Sequence, residues 1–552
     1  MAYEGGRVGG QRAAGRVEGH GGDVALAALR AAGVEEMFTL SGGHVFPVYD
    51  AAVREKLRIV DVRHEQTATF AAEGTAKLTR RPGLAVVTAG PGVTNSVSAV
   101  TSAYFTGVPL IVLGGRAPTG NWGRGGLQEL DHVPLLAPVT KFAATASSGD
   151  AIGPVLLDAA RAALTPHRGP VFVDVPMDVI FSPAAADIGP LEAARRAEPD
   201  PAAVETVARL LAAAQRPAFV VGGDVYFGRA EAALARAAAA LQIPVFANGM
   251  GRGCLPADDP LAFSRVRGLL RKEADLVVVV GTPLDFRLAF GDFGAAAVVH
   301  IADSPAGVAG HRALAASAAG DLAAILDGLA EWSGGRVSHD AWVGRLRDAE
   351  TAVRAEDAGE LAGGGDPIRP PAVYGALRQR LARDAVVIGD GGDFVSYAGR
   401  YVDSYQPGCW LDPGPYGCLG TGLGYAMAAR LARPSAQVVL LLGDGAAGFS
   451  LMDVDTLVRH RLPVVLVVGN NGAWGLEKHP MRAIYGYDVA AELRPETRYD
   501  EVVRALGGAG ETVRRGADLG AALDRAFAAD VPYLVNVLTD PADAYPRTSV
   551  LA

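Results

Sequence analysis

The chain has 552 residues, of which 50% are apolar and 20% charged, which is typical of a compact soluble protein with about three domains. The formal net charge of −9 argues against nucleic-acid binding, which would require a basic face. The three cysteines show no CxxC spacing, and no apolar run reaches membrane-spanning length. We therefore expect a cytoplasmic protein that has no membrane partner.

Strand-like and helix-like segments alternate along most of the chain. The first 22 residues are rich in Gly and Arg and predict a flexible tail. Beyond them, Val/Ile/Leu-rich runs such as GLAVVTAG, RPAFVVGG and AQVVLLLGDG predict parallel strands that are covered on both faces. Two stretches with little periodic pattern, 182–201 and 333–371, divide these runs. The pattern predicts three doubly wound α/β domains with parallel sheets, over residues 23–181, 200–332 and 366–545.

Glu65 stands where the strand-like run IVDVRHE turns into an Ala-rich helix. An acidic residue in a first helical turn complements the positive end of the helix dipole, which is an ordinary structural role. A catalytic role would need a partner that requires one buried carboxylate. The segment RHEQTATFAAEGTAK alone leaves both interpretations open.

The strongest chemical motif lies between residues 438 and 474. One predicted strand ends at Gly443-Asp444-Gly445 and the next ends at Asn470-Asn471. The intervening 446–469 suffices for one helix and one return strand, so the two strands can be neighbours. Asp444 and Asn471 would then project from adjacent strand ends as hard oxygen ligands for Mg²⁺. Glycines let backbone N–H groups approach phosphates, so the motif predicts a diphosphate–Mg²⁺ site.

The GDG and NN motifs resemble the thiamine diphosphate (ThDP) motif of the acetolactate synthase superfamily, and the likeness extends from about residue 22 to 540. The resemblance implies a ThDP-dependent enzyme with pyrimidine-binding, central and diphosphate-binding domains. It also implies that Asp444, Asn471 and the carbonyl of Ala473 hold Mg²⁺. The residues that it places at the cofactor are Gly43, Glu65, Pro91, Asn95, Gly392, Asp393, Phe394, Gly417, Leu419, Gly443, Asp444, Gly445, Ala446, Asn471, Ala473, Trp474 and Gly475.

By this resemblance, Glu65 is catalytic and faces N1′ of the ThDP aminopyrimidine across a subunit interface. An acid at N1′ favours the 4′-imino form, which removes the C2 proton, and a glutamate in a low-dielectric pocket holds its proton more tightly. TAGPGVTNSVSA is similar to the GPGxTN turn of the family. Gly417 would accept from the 4′-amino group, and Leu419 would lie beneath the cofactor. A shared site implies a homodimer or homotetramer.

Three further positions bear on the reaction. His44 follows Gly42-Gly43 where acetolactate synthases read GGA, which resembles the benzaldehyde lyase and 2-hydroxyacyl-CoA lyase branch. It would move a proton, or else only pack the loop. Gln128 matches a family glutamine that reaches the active site, with a surface role as the alternative. Glu477 matches in offset a relay glutamate of pyruvate decarboxylase-like enzymes, with a surface Glu–Lys pair as the alternative.

The segment VVVVGTPLDFRLAFG has Pro283 where acetolactate synthases carry the first Arg of GARFDDR, and it keeps Arg287. This leaves open whether FAD or the ADP part of CoA binds the central domain. The preferred hypothesis is a carbon–carbon lyase or ligase for small 2-keto or 2-hydroxy carbonyl compounds, similar to 2-hydroxyacyl-CoA lyase or an acyloin lyase. The alternatives are an acetolactate synthase, a 2-keto acid decarboxylase, and an inactive regulatory or scaffold relative.

Overall fold

The computed structural model describes residues 15–192, 196–334 and 338–546. These residues divide into two compact units. Apart from the short segments 77–79 and 105–107, the first unit holds the chain up to residue 192. The second unit holds those two segments and the chain from residue 196 onward. Among the described residues, no helix combines the length and apolarity needed to cross a lipid bilayer.

The first unit is built on a six-stranded parallel sheet with the strand order β3-β2-β4-β5-β7-β6. Its strands are β1 (Gly15–His20), β2 (Glu36–Thr39), β3 (Arg58–Asp61), β4 (Gly83–Val87), β5 (Leu110–Arg116), β6 (Phe142–Thr145), β7 (Val171–Pro176) and β8 (Pro183–Ile188). Its helices are α1 (Gly21–Ala31), α2 (Phe46–Arg54), α3 (Glu65–Thr79), α4 (Pro91–Thr106), α5 (His132–Leu136), α6 (Gly149–Leu164) and α7 (Met177–Ile180). The central strands β4 and β7 are buried throughout, as the sequence predicted.

Two segments of the first unit differ from the prediction. Residues 15–22 were expected to belong to a flexible tail, but they form β1 and the start of α1, and residues 1–14 lie outside the described part of the chain. Residues 182–201 were expected to lack regular structure, but they contain β8. The two strands pair antiparallel over their whole length, from Gly15 opposite Ile188 to His20 opposite Pro183. Backbone pairing between distant segments therefore stabilises two sequences that carry no strong strand pattern.

The second unit contains two further six-stranded parallel sheets. The first of them, in the middle domain, has the order β11-β10-β9-β12-β13-β14. Its strands are β9 (Pro217–Val221), β10 (Val245–Ala247), β11 (Ala262–Phe263), β12 (Leu276–Val280), β13 (Ala297–Ala302) and β14 (Ala316–Ala319). Its helices are α8 (Pro201–Ala213), α9 (Gly223–Phe227), α10 (Glu231–Leu241), α11 (Gly268–Glu273) and α12 (Leu322–Glu331).

The third domain has a sheet with the order β16-β15-β17-β18-β20-β19, again all parallel. Its strands are β15 (Val386–Asp390), β16 (Trp410–Leu411), β17 (Val438–Gly443), β18 (Val465–Asn470), β19 (Ala509–Val513) and β20 (Tyr533–Leu538). Helix α13 (Asp340–Ala362) precedes this domain in the chain. The helices of the third domain are α14 (Pro370–Arg378), α15 (Asp393–Tyr401), α16 (Gly422–Ala432), α17 (Asp444–Ser450), α18 (Val454–Arg459), α19 (Gly475–Tyr485), α20 (Tyr499–Ala505) and α21 (Leu519–Ala528).

Helix α13 corrects the prediction that residues 333–371 form a stretch with little regular structure. It runs for 23 residues, and its Trp342 and Leu346 are buried in the core of the middle domain. The indole N–H of Trp342 donates to the carbonyl of Pro217 at 3.0 Å, at the start of β9. The segment is therefore helical because it covers apolar surface, although its other faces are rich in charge.

The register of β17 and β18 positions the strongest sequence motif. The two strands are parallel neighbours, with Gly443 opposite Gly469. This confirms the prediction that they lie side by side, and it places Asp444 and Asn471 just beyond the same edge of the sheet. In open parallel sheets, ligands bind beyond the carboxyl ends of the strands.

Candidate active site

A cavity of about 390 Å³ lies in the second unit beyond the ends of β15, β17 and β18. Its volume is in the range of small-molecule sites in proteins. The sequence-predicted residues that line it are Gly392, Asp393, Phe394, Gly417, Leu419, Gly443, Asp444, Gly445, Ala446, Asn471, Ala473, Trp474, Gly475 and Glu477. The structure thus brings together all the third-domain residues that were predicted for a cofactor, metal or catalytic role.

The side chains of Asp444 and Asn471 are oriented by backbone N–H groups. Asp444 Oδ1 accepts from the N–H of Gly445 at 2.9 Å, and Oδ2 accepts from the N–H of Gly472 at 2.7 Å. Asn471 Oδ1 accepts from the N–H of Ala473 at 3.1 Å. Burial raises the pKa of Asp444 to about 6. Two oxygen-bearing side chains at adjacent strand ends form a donor set that suits a hard divalent cation.

Glycines allow close backbone approach on both sides of this donor set. A methyl group at Gly391 would lie 3.0 Å from the nitrogen of Gly443, and one at Gly475 would lie 2.9 Å from Cβ of Asp393. At Gly445, a methyl group would lie 2.4 Å from the indole ring of Trp474. Glycine at these positions therefore lets the backbone segments and the Trp474 ring pack more closely than a side chain would permit, and such close backbone packing is common at phosphate sites.

Asp390 fixes the loop that carries Gly417 and Leu419. It is fully buried at the end of β15, and its two carboxylate oxygens accept from the N–H groups of Gly420 at 3.0 Å and Gly422 at 2.8 Å. Burial raises its pKa to about 7. Asp390 was not predicted as a site residue, although it stands between the predicted strand and Gly392 in the segment GDGGDF, residues 389–394. Its position as a charged residue at the end of an otherwise apolar strand could have indicated a role for Asp390.

The middle domain contributes to the same cavity through Asn248, Gly249 and Arg287. The guanidinium of Arg287 pairs with Asp285, with 2.6 Å between Nη2 and Oδ2. No role was predicted for Arg287, and Asn248 was not predicted at all, because their place in the cavity depends on tertiary structure. The cavity therefore has a charged wall that comes from a different domain.

Glu477 is exposed at the start of α19 and lines the cavity wall. The neighbouring Lys478 is buried, and its Nζ donates to Glu492 at 2.6 Å. The lysine of the predicted Glu–Lys pair thus has a partner elsewhere in the chain. The relay role of Glu477 stays a prediction.

Glu65 and Asn95 lie together in the first unit. Glu65 begins α3 and is 7% exposed, and Asn95 lies in the first turns of α4, which begins at Pro91. Asn95 Nδ2 donates to Glu65 Oε2 at 3.0 Å. The two helices are joined further at Thr69, whose Oγ1 lies 2.9 Å from the carbonyl oxygen of Glu65 and 3.0 Å from Ser96 Oγ. Two residues predicted from separate motifs thus form one hydrogen-bonded pair.

His44 and Gln128 also meet in the first unit, through Thr88. His44 lies in the short 3₁₀ turn Gly43–Val45 and is buried. Its Nδ1 lies 3.1 Å from Thr88 Oγ1, and the Thr88 hydroxyl donates to Gln128 Oε1 at 3.3 Å. Burial lowers the pKa of His44, and nearby His132 lowers it further. A neutral imidazole is therefore favoured near neutral pH.

A buried network that the sequence analysis missed supports this region. His132 Nε2 accepts from the N–H of Gly90 at 3.0 Å, and its Nδ1 bonds to Asp174 at 2.9 Å. Arg116 donates to the same carboxylate at 3.0 Å. His132 and Asp174 are fully buried, and their hydrogen bonds hold the GPG turn, residues 90–92, in place. The network could have been suspected from Asp174, the single acidic residue inside the apolar run VFVDVP.

Family models match the chain in three places. The model of the N-terminal TPP binding domain of thiamine pyrophosphate enzymes matches residues 19–135, where thiamine pyrophosphate is a synonym of ThDP. The model of the central domain matches residues 204–329, and that of the C-terminal TPP binding domain matches residues 390–537. The matches follow the three sheets in order.

Several known proteins are similar to nearly the whole chain. The chain is 54% identical over 539 residues to the acetolactate synthase large subunit IlvG of Mycobacterium tuberculosis, covering 97% of this chain and 98% of that protein. It is 35% identical over 579 residues to 2-hydroxyacyl-CoA lyase 2 of Caenorhabditis elegans, covering 95% and 90%. The identity to 2-hydroxyacyl-CoA lyase 2 of Homo sapiens is 34% over 543 residues, covering 90% and 85%.

Proposed function

The chain belongs to the thiamine pyrophosphate-dependent enzymes of the acetolactate synthase superfamily, and we propose that it is an acetolactate synthase. Such an enzyme removes CO₂ from one 2-keto acid and joins the remaining acyl unit to the carbonyl carbon of a second. The 54% identity to an acetolactate synthase, over 97% of the chain, is the observation that carries this proposal. It favours the alternative of the sequence analysis over the preferred lyase hypothesis.

The residues at the third-domain cavity fit a magnesium-bound diphosphate. Asp444 and Asn471 offer side-chain oxygens at adjacent strand ends, and the carbonyl of Ala473 would complete the protein's share of the metal ligands. Gly445 and Ala446 line the same cavity at the start of α17. When bound there, ThDP would supply the chemistry by which a 2-keto acid loses CO₂ and its acyl unit becomes a nucleophile.

Glu65 is suited to meet a ring nitrogen of the cofactor. Its Oε2 already accepts from Asn95, which leaves Oε1 for a hydrogen bond with the cofactor ring. Its burial, with 7% exposure, limits competition from water for that hydrogen bond. In our proposal this acid serves the coenzyme held by another copy of the chain, so the working form is a homodimer or a homotetramer.

Arg287 is suited to orient an acidic substrate. It places a guanidinium in the cavity wall beside Asn248, and guanidinium groups bind carboxylates through paired hydrogen bonds. Its pairing with Asp285 fixes the group before substrate arrives. A 2-keto acid carries the carboxylate that such a wall would bind.

A 2-hydroxyacyl-CoA lyase is the second candidate. Two departures from the acetolactate synthase pattern favour it: His44 replaces the Ala of GGA, and Pro283 replaces the first Arg of GARFDDR. The identities of 34% and 35% to 2-hydroxyacyl-CoA lyase 2 point the same way. FAD or a CoA nucleotide in the middle domain, and a cytoplasmic location, stay predictions.

Product analysis distinguishes the two candidates. The purified enzyme with ThDP and Mg²⁺ is given pyruvate in one reaction and a 2-hydroxyacyl-CoA in another, and the products are identified by mass spectrometry. We expect a 2-hydroxy-3-keto acid from pyruvate and little cleavage of the thioester. Cleavage of the 2-hydroxyacyl-CoA with no condensation of pyruvate would refute the acetolactate synthase proposal and support the lyase.

The oligomeric state is tested in the same preparation. Light scattering coupled to size-exclusion chromatography gives the mass of the active species. We expect a dimer or a tetramer of the 56.8 kDa chain. A monomeric fraction with full specific activity would contradict a site shared between subunits.

A further inference from the structure

Thr88 joins two of the three predicted catalytic side chains of the first unit, those of His44 and Gln128. It follows β4 and is buried, with 8% of its surface exposed. Its hydroxyl oxygen lies 3.1 Å from His44 Nδ1 and donates to Gln128 Oε1 at 3.3 Å. The three side chains thus form a continuous hydrogen-bonded row.

The number of donor protons along this row determines which ring nitrogen of His44 carries a proton. A threonine hydroxyl has one proton, and here that proton is directed to Gln128 Oε1, which can only accept. The contact with His44 therefore requires that Nδ1 carries the proton and donates to Thr88 Oγ1. In a neutral imidazole, Nε2 then carries the lone pair.

Two glycines hold the row close together. A methyl group at Gly42 would lie 2.3 Å from Cβ of Thr88, and one at Gly115 would lie 2.4 Å from Cβ of His44. Any larger residue at either position would push the ring and the hydroxyl from their places. Glycine at positions 42 and 115 thus leaves the space that the contact between His44 and Thr88 needs.

We propose that Thr88 is a positioning residue that fixes His44 as the Nδ1–H tautomer and so presents Nε2 as a hydrogen-bond acceptor for a hydroxyl group of the substrate or product. The tautomer follows from the row itself. The hydroxyl partner rests on the proposed function, because both candidate reactions involve a hydroxyl group next to a carbonyl.

The tautomer is measurable without cofactor or turnover. Protein labelled with ¹⁵N only in histidine is sedimented and its ring nitrogens are observed by magic-angle-spinning NMR, with the His44→Gln variant identifying the His44 signals. We expect Nδ1 to be protonated and Nε2 to be unprotonated in the wild type. A protonated Nε2 on a neutral His44 in the wild type would overturn the proposal.

Variants at position 88 separate a specific role from loss of packing. Thr88→Val keeps the shape but loses the hydroxyl, so we expect the Nε2–H tautomer to become populated, whereas Thr88→Ser should retain the wild-type state. Gln128→Glu should also retain it, because a carboxylate only accepts. The control is Thr101→Val, which removes a buried hydroxyl that bonds only within its own helix, to the carbonyl of Val97. An unchanged tautomer in Thr88→Val would refute the role of Thr88.

Binding tests the hydroxyl partner separately. A 2-hydroxy acid and its 2-methoxy analogue compete with substrate, and only the first can donate to Nε2. We expect the wild type to prefer the hydroxy acid by roughly fivefold to tenfold, the usual worth of one neutral hydrogen bond, and Thr88→Val to lose that preference. Equal binding of both compounds to the wild type would overturn the assigned partner. A failed product assay with the expected tautomer and preference would instead refute only the proposed reaction.

Discussion

The side-chain amide of Asn95 donates to Glu65 Oε2 at 3.0 Å, where the first turn of α4 meets the start of α3. The two residues come from motifs that are separated in the sequence by a strand. Since Asn95 donates to Oε2, the second oxygen of this carboxylate can take a hydrogen-bond partner from outside the pair. The pair therefore defines which oxygen of Glu65 is available for chemistry.

Replacement of Glu65 by Gln should abolish most activity and preserve the fold. Glutamine keeps the size of the side chain but cannot donate an acid proton, so we expect a loss of at least about 100-fold in kcat, the usual scale for removal of a general acid. Steady-state kinetics and thermal melting measure the two effects. The exposed Glu55→Gln of the same unit is the control and should have wild-type rates. Near-normal turnover in Glu65→Gln would contradict the catalytic role.

Replacement of Asp444 by Ala should weaken cofactor binding in a magnesium-dependent way. The change removes a carboxylate that is positioned at the cavity by the N–H groups of Gly445 and Gly472. We expect ThDP affinity at saturating Mg²⁺ to fall by at least about tenfold, which corresponds to roughly 1.4 kcal/mol. Calorimetric titration gives the affinity. The exposed Asp530→Asn should bind as the wild type does, and equal affinities for wild type and Asp444→Ala would exclude Asp444 as a ligand.

Cofactor binding should release a proton from Asp444 in mildly acidic solution. Burial raises the pKa of this carboxyl to about 6, and a metal binds only its ionised form. Below pH 6 we therefore expect affinity to fall as pH falls, by up to roughly tenfold per pH unit from this group. Calorimetry in two buffers with different ionisation heats counts the protons. Asp444→Asn should release about one proton fewer at pH 5, and an equal count would contradict the assignment.

Gly445→Ala and Gly448→Ala form a matched pair within α17. A methyl group at Gly445 would lie 2.4 Å from the Trp474 ring, whereas at Gly448 it would meet no atom within 4 Å. We expect Gly445→Ala to displace the indole, to change the intrinsic fluorescence and to weaken ThDP by about tenfold. Gly448→Ala should leave both unchanged and raise stability by up to about 1 kcal/mol through helix propensity. Identical fluorescence in the two variants would contradict the predicted displacement.

Asp390 should make the wild-type protein less stable as pH rises. Its pKa of about 7 lies above the ordinary value of 3.8, so its favourable contribution is complete below pH 4 and is lost as pH rises through 7. Asp390→Asn cannot ionise. We therefore expect the thermal midpoint of this variant, relative to wild type, to increase between pH 4 and pH 8. Exposed Asp348→Asn should show a nearly constant difference, and a constant difference in Asp390→Asn would refute the shift.

The residues of the third-domain cavity were predictable because their motifs lie directly after recognisable strands. A strand, a Gly-Asp-Gly turn and a following Asn-Asn suffice to place Asp444 and Asn471 together once the strands are parallel neighbours. The predicted cofactor residues of this domain accordingly line one cavity. The six-stranded parallel sheets follow from the same kind of signal, since nearly continuous Val and Leu runs are buried on both faces.

The rest depended on contacts between residues far apart in sequence. His132 and Asp174 join the GPG turn to β7, and no spacing rule predicts such a pair. Strands β1 and β8 were missed because GRVEGH and PAAADI have weak strand propensity and are stabilised by each other. Helix α13 was missed because the Gly and Pro residues of segment 333–371 suggested irregular structure, although Trp342 and Leu346 mark a buried helical face.

The presence of Asn248 and Arg287 in the cavity wall has an evolutionary consequence. The groups that would recognise an acceptor are encoded in a different domain from the groups that would hold the coenzyme. Mutations in the middle domain can therefore change which molecules are processed while the metal and diphosphate contacts remain under separate selection. On the proposed function, variation at positions around 248 and 287 alters the wall offered to the acceptor and leaves the side chains of Asp444 and Asn471 unchanged.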